Sequence, residues 1–305
     1  MYPKWQAFLA NSAKQFFSVN DYETAKYISD YMGKYTVDKE KGKYKIDSRF
    51  SVKSKADSII YPGDCIELLR KIPDDFIQLI ITSPPYNNGK PYEDKMSIKE
   101  YLDWQKQVIS ECVRVLKPSG SICWQVGNYY ENGAVVPLDI LLFPIFKSFG
   151  LKLNNRIIWH FGYGGNSDRK LSRRYETILW WVKAKDYVFN LDEIRVPHNV
   201  PGKTAYKGSD IGLLTPNPLG ANPSDVWNIL NVKAGCKEIT EHPAQFPLEL
   251  IRRLVLSMSN SGDCVLDPFL EVELLLLLGL KMEEGLLGRR LGRIILGLLG
   301  RGLDN

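Results

Sequence analysis

A hydrophobic run that ends in two prolines constrains the fold of this chain most strongly. Residues 76–81 read Phe-Ile-Gln-Leu-Ile-Ile, a pattern typical of a buried β-strand. Pro84 and Pro85 follow shortly after it, lack backbone N–H donors and fix φ, so the strand must end in a rigid extended loop. In open α/β sheets ligands bind at the carboxyl ends of the strands, which is where this loop places Ser83 and Tyr86.

Strand and helix patterns alternate around that run from residue 58 onward. Further strands are predicted at residues 58–61, 121–126, 156–160, 177–182 and 264–266, and helices at 64–71, 137–149 and 247–258. Ser97 and Glu100 form a capping-box pattern, which predicts that another helix begins there. This alternation predicts an α/β fold with a mostly parallel, doubly wound sheet that helices cover on both faces.

Charge and cysteine usage restrict the classes of function. The formal net charge is +5, and residues 1–56 alone hold 11 Lys/Arg against 6 Asp/Glu, which allows a polyanionic partner. Five scattered cysteines form no Cys-x-x-Cys pair and only three histidines are present, so neither a metal site nor a disulfide is expected. The first residues lack the apolar core of a signal peptide, and no run is long enough to span a membrane, so a reducing cytoplasm is expected.

The loop that contains the two prolines resembles a known catalytic motif. Thr82-Ser83-Pro84-Pro85-Tyr86 is similar to the [Asp/Asn/Ser]-Pro-Pro-[Tyr/Phe] motif of DNA methyltransferases that modify exocyclic amino groups with S-adenosylmethionine. A bare Pro-Pro-Tyr also occurs in partner-binding peptides or as a structural strand break, but the hydrophobic strand before it favours the enzymes. The resemblance implies that Ser83, Pro84, Pro85 and Tyr86 are catalytic, with Tyr86 stacking on a flipped base.

A second motif near the end of the chain resembles the cofactor loop of the same family. The resemblance implies cofactor contacts from Asp64, Cys65, Gln245, Phe246, Asp267, Pro268 and Phe269. The catalytic motif comes first and the cofactor motif last, which is the permuted order of the β class of amino-methyltransferases. We expect both motifs at the carboxyl ends of adjacent parallel strands, despite their separation in sequence.

Candidate DNA-binding residues lie between the two motifs, the first two from the resemblance and the other three from the Pro/Gly/Lys-rich segment 186–240. They are Arg174, Tyr175, Lys203, Tyr206 and Lys207. Arg174 and Tyr175 lie in a segment that is similar to one flanking the target-base pocket, where Tyr175 or Trp159 forms a second wall or packs in the core. The lysines can meet phosphates, with an ordinary solvated loop as the alternative.

Four segments follow from these motifs. Residues 1–56 are a basic, aromatic N-terminal extension, 57–185 the catalytic half of a methyltransferase domain, 186–240 a target-recognition region and 241–305 the cofactor-binding half. The family implies double-stranded DNA as the partner, and leaves open a homodimer and a cognate restriction endonuclease. A bacterial or archaeal cytoplasm, beside the nucleoid, is the expected location.

The cofactor loop departs from the family after Phe269. Glu271 and Glu273 stand where the family has glycines, and two carboxylates there would crowd the carboxylate of the cofactor's methionine moiety. Residues 270–305 also contain no Ala, Ser, Thr, Pro or aromatic residue. Either the cofactor site is damaged or this stretch of sequence is wrongly assigned, and weak S-adenosylmethionine binding is predicted for the sequence as it stands.

Three functions are compatible with these residues. The first is a site-specific DNA methyltransferase, in a restriction–modification system or alone, with cytosine N(4) favoured over adenine N(6) because Ser83 precedes Pro-Pro-Tyr. The second is a non-catalytic DNA-binding or regulatory protein on the same scaffold, which Glu271 and Glu273 suggest. The third, methylation of protein or RNA amines, is less consistent with the long Pro/Gly/Lys-rich segment at 186–240.

Overall fold

Seven segments of the chain are described by the computed structural model. They are residues 37–40, 43–46, 58–89, 95–162, 168–232, 246–269 and 291–299. Their strands are β1 (Val37–Glu40), β2 (Lys43–Ile46), β3 (Ser58–Gly63), β4 (Ile77–Thr82), β5 (Leu116–Val126), β6 (Asn128–Glu131), β7 (Ala134–Pro137), β8 (Lys152–His160), β9 (Tyr175–Val182), β10 (Val226–Asn228), β11 (Asp263–Asp267) and β12 (Leu291–Leu299). Their helices are α1 (Cys65–Lys71), α2 (Ile98–Val115), α3 (Leu138–Ser148) and α4 (Leu248–Met258), with a 3₁₀ turn at Leu191–Ile194.

Eight of these strands form one mixed sheet. Its order is β10-β8-β9-β5-β4-β11-β12-β3. Only β9 runs antiparallel to both of its neighbours, β8 and β5, and every other pair in the sheet is parallel. The prediction of a mostly parallel α/β sheet is therefore confirmed.

The two motif-bearing strands lie side by side at the centre of the sheet. Strand β4 pairs with β11 in parallel, with Leu79 opposite Val265 and Ile80 opposite Leu266. The loops that follow the two strands therefore start from the same edge of the sheet, as predicted. Strands β12 and β3 continue the parallel array beyond β11, so the end of β3 reaches this edge as well.

Helices cover both faces of the sheet and create two hydrophobic cores. The first core joins the sheet to α1, α2 and α3, through residues such as Leu68, Val108 and Phe146. The second core joins the other face to α4, through Leu250 and Leu254. All six residues of β4 are buried, as expected for a strand that is covered on both sides. Among the described helices, none is long and apolar enough to cross a membrane.

Some elements differ from the sequence predictions. Strand β5 begins at Leu116 rather than at residue 121, because the chain continues past Pro118 close to β4. A Cβ at Gly120 would lie 2.9 Å from the carbonyl oxygen of Gln78, so glycine permits this approach. The β6–β7 hairpin and the short strand β10 were not predicted, since neither contains a long apolar run. Within the N-terminal segment the structure also pairs β1 with β2 in antiparallel orientation, with Val37 opposite Ile46.

Candidate active site

The predicted catalytic loop leaves the carboxyl end of β4 and is held by the ends of its neighbours. Ser83 is only 2% exposed, Pro84 and Pro85 are buried, and Tyr86 is half-buried. Strand β5 ends beside this loop at Val126. Because β9 is antiparallel to β5, its first residues meet the same edge, with Thr177 opposite Val126. Residues from β5 and β9 can therefore contact the loop.

A hydrogen bond between side chains ties the catalytic strand to the predicted cofactor strand. Thr82 is the last residue of β4, and its Oγ1 donates to Asp267 Oδ1 at 2.5 Å. The same carboxyl oxygen accepts from the backbone N–H of Phe269 at 3.1 Å. Asp267 is fully buried, so these bonds fix the geometry where the two loops begin.

Two asparagines fix the far side of the catalytic loop. Asn87 adopts a left-handed conformation with φ of 60°, which asparagine tolerates better than most residues. Its side chain accepts from Met96 N at 2.7 Å and donates to Met96 O at 2.8 Å. Asn88 similarly bonds the β6 strand, donating to Asn128 O and accepting from Tyr130 N. The loop is thus anchored to a defined conformation on both sides of Pro84-Pro85.

The hydroxyl of Tyr86 belongs to a buried polar network. It donates to Gln125 Oε1 at 2.7 Å and lies 3.3 Å from Glu176 Oε2. Gln125 Nε2 in turn donates to Glu176 Oε2 at 2.5 Å. Ser83 Oγ donates to the Tyr86 hydroxyl at 3.3 Å, which links Ser83 to the network.

Gly127 allows this network to form. A Cβ at this position would lie 2.7 Å from Tyr86 Cε2 and 2.9 Å from Glu176 Oε1. Side-chain carbons do not approach other atoms so closely, so any larger residue would displace Tyr86 or Glu176. The aromatic ring therefore packs directly over the backbone at the end of β5.

Glu176 is a carboxyl group in an unfavourable environment for its charge. Its side chain is 12% exposed, and burial raises its pKa above the ordinary value for glutamate. Arg173 at 3.3 Å and the hydrogen bonds from Gln125 and Tyr86 lower the pKa, but by less than burial raises it. A buried acid of this kind, beside a predicted catalytic loop, is a candidate for function.

The predicted cofactor residues are placed as follows. Asp64 caps α1, where its Oδ1 accepts from the backbone of Ile66 and Glu67. The other described residues of this set, Cys65, Phe246, Pro268 and Phe269, are buried. Gln245, Glu271 and Glu273 lie outside the described residues.

Two of these buried residues are aromatic core residues. The Phe269 ring packs between Trp104 and Trp124, with centroids 5.5 and 5.8 Å away. Phe246 packs edge-on against Trp159 on the other face of the sheet. Both rings therefore support the strands beneath the predicted cofactor loop, and any contact of theirs with a cofactor stays a prediction.

The predicted DNA-binding residues divide into two groups. Tyr175 is the first residue of β9 and Arg174 directly precedes it, on the same sheet edge as the catalytic loop, and Tyr175 is 50% exposed. Lys203, Tyr206 and Lys207 are exposed in the irregular segment before β10, where Lys207 Nζ lies 5.4 Å from the centre of the Tyr206 ring. The structure does not bring this second group into contact with the catalytic loop.

Trp159 is a core residue rather than a pocket wall. It is 5% exposed, and its indole N–H donates to Ile229 O at 2.8 Å. The structure therefore favours the packing alternative for this residue. Tyr175, by contrast, keeps its exposed position at the edge.

Sequence reasoning missed Gln125 and Gly127 as members of the site, and it placed Glu176 only within the segment that flanks the target-base pocket. Glu176 is adjacent to Arg174 and Tyr175, which the family resemblance did indicate. The signal that points to it is topological: an acid at the start of an antiparallel strand meets the carboxyl ends of the parallel strands. That signal becomes visible only when the direction of β9 is known.

Comparison with known proteins defines the class. The family model described as DNA methylase, of N(6)- and N(4)-specific enzymes, matches residues 77–272, well over half of the 305-residue chain. The matched region contains both motifs and the whole Tyr86 network. The chain therefore belongs to the family of S-adenosylmethionine-dependent DNA amino-methyltransferases.

Two curated relatives have similar sequences. The type II methyltransferase M.BglII from Bacillus subtilis is 49% identical over 212 residues, which are 69% of this chain and 59% of the relative. The DNA adenine methyltransferase YhdJ from Escherichia coli (strain K12) is 37% identical over 71% of this chain and 72% of the relative. The chain thus spans less than two thirds of the length of the Bacillus protein.

Comparison of structures shows the same fold. The structure of the PvuII DNA methyltransferase, named as cytosine-N4-specific, superposes with a TM-score of 0.56 at 21% identity, over 79% of this chain and 82% of that one. A second family model, described as the TraM recognition site of TraD and TraG, matches residues 1–68. That match overlaps β3 and the start of α1, which belong to the methylase sheet and its first core.

Proposed function

We propose that this chain is a site-specific DNA methyltransferase that modifies an exocyclic amino group of a flipped base. The observation that carries the proposal is the position of Ser83 and Tyr86. They leave β4 beside the Asp267 loop of β11, and Thr82 and Asp267 are hydrogen-bonded to each other. Methyl donor and acceptor must meet at one point, and adjacent parallel strand ends provide that point.

Acceptors are the groups that this chemistry requires. The amino nitrogen of a base is a poor nucleophile because its lone pair is delocalised into the ring. Ser83 Oγ and the carbonyl oxygen of Pro84 can accept its two hydrogens and favour a tetrahedral nitrogen as positive charge develops. Tyr86 can stack on the base. Bound S-adenosylmethionine supplies an electrophilic sulfonium methyl group.

The described residues fit a cofactor at the edge formed by β4, β11, β12 and β3. Asp267 is buried and holds the start of its loop through Phe269 N. Asp64, at the end of β3, accepts from the α1 backbone of Ile66 and Glu67 through Oδ1. We assign these two acids to opposite ends of the cofactor site, with Phe269 as support below it.

The proposal also covers the target base and the partners of the protein. Ser before Pro-Pro-Tyr favours cytosine N(4) over adenine N(6), although one relative is named as an adenine enzyme. The name of the Bacillus relative supports a restriction–modification system with a cognate endonuclease. Exposed Lys203, Tyr206 and Lys207 in the target-recognition region would contact DNA, and a homodimer stays a prediction.

A substitution of Ser83 tests the proposed function. Duplex DNA of mixed sequence is incubated with labelled S-adenosylmethionine and the full chain, and the modified nucleosides are separated. We expect N(4)-methylcytosine from the unchanged chain and its loss in Ser83→Ala, because the acceptor is removed. Ser148→Ala is the matched control, since Ser148 is exposed on α3 and its hydroxyl donates to Ile145 O of the same helix. Labelling by Ser83→Ala equal to that of an active Ser148→Ala variant would show that Ser83 does not act as the acceptor.

A second candidate function rests on the cofactor loop. Glu271 and Glu273 replace the glycines of the family, so the scaffold can bind DNA without transferring a methyl group. Titration with S-adenosylmethionine separates the two candidates. Absence of binding in the unchanged chain, with DNA binding retained, would favour the non-catalytic protein.

A further inference from the structure

The direction of the hydrogen bonds in the Tyr86 network decides whether Ser83 can accept a hydrogen bond from a substrate. A serine hydroxyl has one hydrogen and two lone pairs, so it can donate to a substrate or accept from it. Ser83 must accept if it is to activate an amino group. Its hydrogen must therefore be directed to another acceptor, and the nearest one described is the Tyr86 hydroxyl at 3.3 Å.

Tyr86 accepts this hydrogen only if its own hydrogen is directed elsewhere. The tyrosine hydroxyl has one hydrogen and two acceptors within reach, Gln125 Oε1 at 2.7 Å and Glu176 Oε2 at 3.3 Å, and the shorter contact favours donation to Gln125. Gln125 keeps its oxygen toward Tyr86 because its amide nitrogen donates to Glu176 Oε2 at 2.5 Å. The Glu176 carboxylate, which is the last acceptor in this series of hydrogen bonds, thus fixes the direction of each of them.

We propose that Glu176 is a positioning residue that acts through Gln125 and Tyr86 to hold Ser83 as a hydrogen-bond acceptor toward the substrate amino group. The inference rests on the proposed function. The family motif allows Phe at the position of Tyr86, so this arrangement belongs to this chain rather than to the motif. Gly127 supports it independently, because a Cβ there would collide with both Tyr86 and Glu176.

The surroundings of Glu176 set its charge. Arg173 lies 3.3 Å from Oε1, Tyr86 and Gln125 face Oε2, and β8 contributes Trp159 across the strand pair. Burial raises the pKa of Glu176, so the carboxylate is lost at a higher pH than an exposed glutamate would require. When it is protonated, it no longer imposes the direction of the network, and the orientation of Ser83 is relaxed.

The raised pKa of Glu176 also determines how its contribution to stability changes with pH. Between the ordinary pKa of glutamate, about 4.3, and the raised pKa of Glu176, the folded chain binds more protons than the unfolded chain. The contribution of Glu176 to stability therefore falls as pH rises through that window. Removal of the charge should leave the protein equally stable or more stable above the window, which is the reverse of what a purely structural hydrogen bond predicts.

Single-turnover methyl transfer by the full chain tests the proposal, with DNA and S-adenosylmethionine varied separately. Glu176→Gln should lower the transfer rate roughly tenfold, the effect of weakening one charge-assisted hydrogen bond, without weakening the binding of DNA or cofactor. Tyr86→Phe should lower it by a similar factor, and the double variant should lose no more than either alone. The rate of the unchanged chain should fall on acidification, and that of Glu176→Gln should not.

Asp139→Asn is the matched control. Asp139 is also a buried carboxylate, 5% exposed and paired with Arg156, but it lies on α3 and has no bond to the network. Its substitution should lower stability and leave the transfer rate and its pH profile unchanged. If Glu176→Gln transfers methyl groups as fast as the unchanged chain, this inference is wrong but the proposed function stands. Additive losses in the double variant would have the same meaning. No transfer by the unchanged chain at saturating cofactor would instead overturn the proposed function.

Discussion

The bond between Thr82 and Asp267 allows a quantitative prediction. Thr82→Val replaces the hydroxyl with a methyl group of similar size and removes the side-chain hydrogen bond that joins β4 to the carboxyl group of Asp267. Asp267 is fully buried, so water cannot easily replace the lost donor. A hydrogen bond to a charged group contributes roughly 1.5–3 kcal/mol, and we expect a loss of unfolding free energy of about 2 kcal/mol.

Thr177→Val provides the comparison. Thr177 is also buried in the sheet, but its hydroxyl donates to the neutral carbonyl of Val126 at 3.2 Å. Its substitution should cost only about 1 kcal/mol, because the bond is neutral. Urea unfolding of both variants measures the difference, provided that the dependence of the unfolding free energy on urea concentration is the same in both.

The same two variants also test whether the Thr82–Asp267 bond affects cofactor binding. Thr82→Val should also weaken S-adenosylmethionine binding in a calorimetric titration, since the start of the Asp267 loop loses a contact. Thr177→Val should bind as the unchanged chain does. If the two variants are equally stable and bind equally, Asp267 does not depend on Thr82, and the proposed coupling between the two loops is wrong.

Three further predictions concern the site. Tyr86→Ala should lose base stacking worth roughly 1–3 kcal/mol and lower turnover far more than stability, which kinetics and urea unfolding compare; full activity would refute the pocket assignment. Gly127→Ala should lower the transfer rate and destabilise the chain by roughly 1–3 kcal/mol by overpacking against Tyr86 and Glu176, and wild-type thermal unfolding would contradict the observed packing. Glu271 and Glu273 both changed to Gly should tighten S-adenosylmethionine binding in a titration at one pH, whereas tight binding by the unchanged chain would refute the predicted repulsion.

The predictable part of the fold follows from local patterns. Strand β4 has an apolar run that only Gln78 interrupts before Thr82, and α2 begins at the capping box of Ser97 and Glu100, which the structure shows with both bonds formed. Such signals lie within a few residues of one another, so one sequence is sufficient to detect them. The adjacency of the two motif loops was also predictable, because strand ends in α/β sheets follow a topological rule.

The rest of the site depends on contacts that are remote in sequence. Glu176 and Tyr86 are separated by 90 residues and meet only because β9 runs antiparallel to its neighbours. Gly127 looks like an ordinary loop glycine until the ring of Tyr86 is placed above it. The strand β10 is similar: its three residues are set by pairing with β8 rather than by their own propensity.

The product of methyl transfer tests the central claim most directly. Duplex DNA is incubated with S-adenosylmethionine and with the unchanged chain, the form with Glu271 and Glu273 changed to Gly, and that same form carrying Ser83→Ala. The nucleosides are then separated and identified by mass. We predict N(4)-methylcytosine with the glycine form, less of it with the unchanged chain, and none when Ser83 is also replaced. DNA without any methylated amino group in all three reactions would contradict the assignment of this site as a methyltransferase.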